Sequence, residues 1–376
     1  MRGTVSRMNP TSEPRARLPR GAAGIATLAV FAGLLAADCG QDPGADADSA
    51  IPECTFVNPV TSGQDPWVVR HEGSYYLVES KNGGIYVYES PRLTDPKQNE
   101  VRVWLAPETG WNRGHIWAPE LHLIDGRWYI YYAAGAAGPP FIHQRSGVLQ
   151  SEGSDPQGPY VDRGMLYTGD DLATGRDAIW AIDVTVARLK GQLYAVWSGW
   201  KENAATDKTP QHLYIAPMSN PWTISGSRVR ISSPAETWED GPELDLNEGP
   251  TFLLHGGRTF IVYSAREAWL PDYRMGQLAL RDEADPLDPA SWVKSGPVFA
   301  GYGEVYGVGH ASFTISPDST EDWVVYHSKT AETPGWERVI RTQPFGWNPD
   351  GSPDFGTPVP SGEPIPVPSG ECAPSS

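Results

Sequence analysis

Three acids recur at nearly one distance ahead of a repeated aromatic strand. Asp65 stands eight residues before Gly73, Asp183 eight before Gly191, and Glu248 nine before Gly257. Trp117, nine before Gly126, and His310, eleven before Glu321, hold the corresponding places in two further copies. Two convergent carboxyls suit cleavage of a glycosidic bond. One protonates the leaving oxygen while the other activates water or attacks the anomeric carbon. A third acid close by raises the pKa of the proton donor and orients it. Taken singly, each acid has a plainer reading: Asp65-Pro66 as a turn, Asp183 as a strand-end cap, Glu248-Gly249-Pro250 as a loop. Their shared register favours the chemistry.

The elements that must position these residues are strands. The repeated unit is a turn followed by an aromatic-rich strand, at 73–80, 126–133, 191–198, 257–264 and 321–328. The copies begin 53 to 66 residues apart. A shorter strand precedes each copy and further apolar strands follow, so each interval holds about four strands. That period predicts propeller blades, and five copies predict an all-β, five-bladed β-propeller. A large β-sandwich would not produce the interval. First strands line the central channel of a propeller, so residues just ahead of them converge at one end of the axis. Trp67, Trp117 and Trp180 lie beside those positions and are candidates for stacking on a sugar ring, or for packing the channel wall.

Composition narrows the ligand. The formal net charge is −17, which speaks against nucleic acid and against strongly anionic polysaccharides. A neutral ligand fits better. Fifteen Trp and sixteen Tyr supply a core and surfaces for sugars. Residues 1–39 read as an export signal, with Arg15, Arg17 and Arg20 ahead of an apolar stretch from Ala22 to Ala37. That stretch is short for a transmembrane helix. Cys39 follows a run of small residues, as in a lipoprotein signal, although Asp38 departs from that pattern. Acylation at Cys39 and plain export therefore both stay open, and membrane contact is expected only through such an anchor. Residues 40–53 read as a flexible linker, and 54–376 as the propeller. Cys54 and Cys372 flank the propeller and are expected to pair in an oxidising compartment. A monomer is expected.

At these residues the sequence resembles glycoside hydrolase family 43. The resemblance is carried by Gln64-Asp-Pro-Trp67, Ile116-Trp-Ala-Pro-Glu-Leu-His122, Ala181-Ile-Asp183, Asn247-Glu-Gly-Pro250 and Gly309-His310, and continues through Arg341-Thr-Gln-Pro-Phe345. It implies an inverting mechanism with Asp65 as general base, Glu248 as general acid and Asp183 as pKa modulator. It also implies that Arg341 hydrogen-bonds sugar hydroxyls and that no cofactor is required. Some members carry calcium or another ion on the axis near the equivalent of His310, which makes His310 a candidate metal ligand. A sugar-binding His is the other reading, since calcium prefers oxygen ligands. Ile85-Tyr-Val-Tyr88, Ile215–Ser225 and Trp269-Leu-Pro-Asp-Tyr273 resemble the α-L-arabinofuranosidase branch. Arabinose-containing plant cell-wall polysaccharide is then the expected substrate. A β-xylosidase, an endo-arabinanase or a non-catalytic sugar-binding propeller remain alternatives. Val184, Val308 and Ala311 depart from the residues common in the family and alter the channel lining.

Overall fold

The computed structural model describes residues 54–372. The export segment, Cys39 and the linker up to residue 53 lie outside the described residues. Five antiparallel sheets form the five blades expected from the repeats. Their inner strands are Trp67–His71, Gly114–Ile124, Ala181–Leu189, Asn247–His255 and Tyr306–Ile315, numbered as blades 1 to 5. The second strands are Ser74–Lys81, Arg127–Gly135, Gln192–Gly199, Arg258–Ala265 and Asp322–Lys329. These are the aromatic repeats, displaced by a residue or so.

The repeated glycine has a local cause. In blades 1 to 4 a two-residue turn joins the inner strand to the second strand, as where His71 pairs with Ser74 and Leu189 with Gln192. Both turn residues take positive φ: Glu72 and Gly73, Asp125 and Gly126, Lys190 and Gly191, Gly256 and Gly257. Such turns match the twist of a hairpin and favour glycine. Blade 5 lacks the glycine because its turn is longer. There Ser316 Oγ accepts the N–H groups of Thr320 and Glu321 instead.

The second strands are apolar on both faces because each blade is covered on both sides. Tyr76 and Val78 of blade 1 pack with Trp128 and Ile130 of blade 2. Tyr131 of blade 2 packs with Val186 and Trp197 of blade 3. The series continues from Val196 to Ile261 and Tyr263, and from Val262 to Val324 and Tyr326. It returns to the start through Trp323 and Val325 of blade 5 against Val68, Tyr75 and Leu77 of blade 1. The core is therefore a ring of five interfaces.

Both chain ends close that ring. Thr61–Ser62 joins blade 5 beside Arg338–Trp347, so the last blade is completed by the first residues of the propeller. Thr55–Val57 pairs with Pro364–Pro366. Cys54 and Cys372 form a disulfide across a sequence separation of 318 residues.

Candidate active site

Four inner strands break their pairing near one end of the channel. The register shifts lie between Trp117 and Glu120, Ile182 and Thr185, Glu248 and Thr251, and Gly309 and Ser312. In each, one residue takes a left-handed conformation: Ala118, Asp183, Gly249 and His310, with φ between 40° and 55°. Asp65 does the same at 48° just ahead of the blade 1 strand. These are bulges, which re-aim side chains. The truly equivalent set is therefore Asp65, Ala118, Asp183, Gly249 and His310. Trp117 and Glu248 sit one residue upstream of it, which corrects the expectation of five equivalent positions. The nine-residue intervals at these two, against eight at Asp65 and Asp183, carried that difference in the sequence.

The three acids line one cleft of about 680 Å³ with Trp117, Trp180 and His310. Asp65 has the most positive surroundings. Its Oδ1 lies 3.0 Å from Arg338 Nη1, 3.1 Å from His327 Nδ1 and 3.4 Å from His310 Nδ1. Its backbone N–H donates to His327 Nδ1 at 3.1 Å. Burial opposes ionisation of Asp65, but Arg338, His310 and His327 together outweigh it and hold the carboxyl well below the usual carboxylate range. His327 is fully buried, and desolvation, with Arg338 adding, brings its pKa down to about 3.

Glu248 has the opposite environment. Burial, reinforced by the neighbouring Asp183, pushes its pKa up to about 8. Its Oε1 accepts a hydrogen bond of 3.0 Å from the Tyr273 hydroxyl. Asp183 is itself raised by burial, while His310 and the Gly249 N–H draw it down. That N–H donates to Asp183 Oδ2 at 3.0 Å and ties blade 4 to blade 3. Across the mouth, Trp117 meets Phe141 edge-on at 5.0 Å. Trp180 stacks on Trp200 at 4.5 Å and donates through Nε1 to the Phe141 carbonyl.

Two expected sugar contacts lie elsewhere. Trp67 turns between blades 1 and 2, tilted against the His122 ring at 4.5 Å and donating to the Leu121 carbonyl. Arg341 is buried, and its guanidinium is taken up by Ser328, Val359 and Ser361. Arg338, three residues earlier, faces the cleft instead. Side chains alternate along a strand, so residues three apart face opposite ways and only one of the two can reach the channel. Arg338, His327 and Tyr273 were missed as site residues. His327 and Tyr273 lay inside aromatic segments read as strand and resemblance, and nothing local marked them as facing the axis.

Among the described residues, no group of three or more His, Cys, Asp or Glu side chains is placed to hold an ion. His310 Nδ1 lies 3.4 Å from the Asp65 carboxylate.

Two carboxyl groups with opposed protonation at the mouth of a propeller channel define a site of the glycoside hydrolase kind. Residues 56–353 match the family model of glycosyl hydrolases family 43, and the chain belongs to that family. Alpha-L-arabinofuranosidase 43 of Humicola insolens is 36% identical over 85% of this chain and 66% of its own length. An extracellular exo-alpha-(1->5)-L-arabinofuranosidase of Streptomyces avermitilis is 35% identical over 89% of this chain and 71% of its own. The chain thus spans about two thirds of the length of these relatives. The crystal structure of an alpha-L-arabinofuranosidase from Lactobacillus brevis superposes with a TM-score of 0.74 at 32% identity. It covers 82% of this chain and 98% of that one.

Proposed function

We propose that the protein is an inverting glycosidase that releases terminal α-L-arabinofuranosyl residues from arabinan or arabinoxylan-type polysaccharide. Asp65 serves as general base, Glu248 as general acid and Asp183 as modulator of Glu248. The observation that carries this reading is the opposed state of the two outer carboxyls. Asp65 is held ionised, chiefly by the Arg338 guanidinium, and Glu248 is held protonated by desolvation beside Asp183. An ionised base and a protonated acid are what a single displacement by water requires. The pKa of Glu248, about 8, keeps its proton available at neutral pH. When the glycosidic bond breaks, that proton passes to the leaving oxygen, and Asp65 takes one from the attacking water. Asp183, hydrogen-bonded to the Gly249 N–H, is fixed beside the acid and disfavours its ionisation.

The relatives' names support arabinofuranose as the sugar released, and the acids alone do not distinguish it from xylose. Hydrolysis of a nitrophenyl α-L-arabinofuranoside, set against the matching β-D-xyloside, tests the choice. A preference for the xyloside would reject it. Export belongs to the same proposal, with acylation at Cys39 as its finer form. Two Streptomyces relatives are named extracellular. Mass spectrometry of the mature N-terminus reads both: a diacylglyceryl Cys39 supports the anchor, and an uncleaved Met1 rejects export through this signal.

A further inference from the structure

We propose that Trp336 and Trp269 form the platform on which the leaving sugar rests. This deepens the glycosidase reading above and depends on it. Trp336 is 62% exposed, the most exposed large hydrophobic side chain among the described residues. It nevertheless lines the same cleft as the three acids, as does Trp269. Tyr302 is nearly as exposed at 59% but does not line that cleft, so exposure alone does not single out the rim.

The two rings are held in place. Their centroids lie 5.1 Å apart at a tilt of 49°. The Gly335 N–H donates to the Trp269 carbonyl at 2.8 Å, and Lys329 Nζ donates to the Gly335 carbonyl. Lys208 Nζ stands 4.7 Å from the Trp269 ring, and the Arg338 guanidinium carbon 5.6 Å from the Trp336 ring. Each Trp lies in a loop joining the second and third strands of its blade, Trp269 in blade 4 and Trp336 in blade 5. The backbone hydrogen bond between the loops makes one ledge of them.

The ledge belongs to the side of the cleft where the leaving group must be. Glu248 is carried by blade 4 and gives its proton to the leaving oxygen, so the departing unit lies toward Glu248. The opposite wall is built from Trp117, Phe141 and Trp180 of blades 2 and 3. The exposed ring face of Trp336, backed by Trp269, suits the apolar face of a neutral sugar ring. Stacking reads that face and not individual hydroxyls. The ledge therefore tolerates different leaving sugars, and selection falls on the enclosed end of the cleft beside the acids.

Kinetics of Trp336→Ala on two substrates test this. α-1,5-Arabinotriose offers a leaving sugar, whereas α-L-arabinofuranosyl fluoride offers none. Loss of a stacking partner worth a tenfold factor should appear mainly in KM. The ratio of kcat/KM for arabinotriose to that for the fluoride should fall about tenfold, and Trp336→Phe should recover most of it. If the wild-type enzyme cleaves both substrates and Trp336→Ala leaves the ratio unchanged, the platform is wrong. If the wild-type enzyme cleaves neither, the glycosidase reading itself fails and the platform with it.

Discussion

At the scale of single residues, the site is a division of charge among three acids, Asp183 buried and Asp65 and Glu248 partly so. Two of the charges can be moved by single substitutions. Asp183 helps to raise Glu248, so Asp183→Asn should bring the Glu248 pKa down. Activity needs Glu248 protonated and falls as pH rises through its pKa, about 8 in the native protein. The alkaline limb of the kcat/KM profile should then shift to lower pH in Asp183→Asn. Arg338 holds Asp65 below the usual range, so Arg338→Gln should raise it. Activity needs Asp65 ionised, and the acid limb should therefore shift to higher pH. Shifts in the opposite directions would contradict these assignments. Glu248→Gln should cost about 10²–10⁴ in kcat on a natural oligosaccharide, and much less on an aryl glycoside with a good leaving group. Equal small losses on both would remove Glu248 from the acid role.

At the scale of elements, the bulge is the device that gathers the site. Gly249 shows why one position in it is glycine. It has φ +54°, and a Cβ there would come within 3.1 Å of the His310 ring. Gly249→Ala should cost about 1–2 kcal/mol of stability from the left-handed backbone alone. By pressing on His310 it should also lower kcat, measurable by denaturant melts and turnover on one preparation. Stability and turnover both unchanged would argue against the bulge as a constrained element. The bulge also marks where sequence reading reached its limit. The aromatic repeat and its turn glycines are local patterns, and they made strands, blade number and the acids legible. A bulge leaves no compositional mark, and only the interval of nine rather than eight residues shows that Trp117 and Glu248 stand one residue ahead of the bulged position. The choice of Arg338 over Arg341 turns on which face of a strand meets the channel. That face depends on pairing across the sheet, and in blade 5 the pairing reaches back to Thr61–Ser62 near the other end of the chain.

At the scale of the whole molecule, closure is what gives the acids a common axis. The Cys54–Cys372 disulfide spans nearly the entire propeller and constrains mainly the unfolded chain. Cys54→Ser should destabilise by about 2–5 kcal/mol with kcat little changed, since neither cysteine lines the cleft. Urea titration and turnover on the same preparation check both halves, and an unaltered midpoint would show that strand pairing alone closes the ring. Ring geometry also bears on stereochemistry. Asp65 enters from blade 1 and Glu248 from blade 4, which are not neighbours in a ring of five. Carboxyls on opposite sides of a channel leave room for a water between base and sugar. Inverting pairs stand about 6.5–9.5 Å apart, against about 5–5.5 Å in retaining pairs. Proton NMR of the first sugar released from an α-L-arabinofuranoside tests that directly. Inversion predicts that β-arabinose appears before mutarotation. Initial appearance of the α-anomer, or a covalent sugar adduct on Asp65, would contradict it.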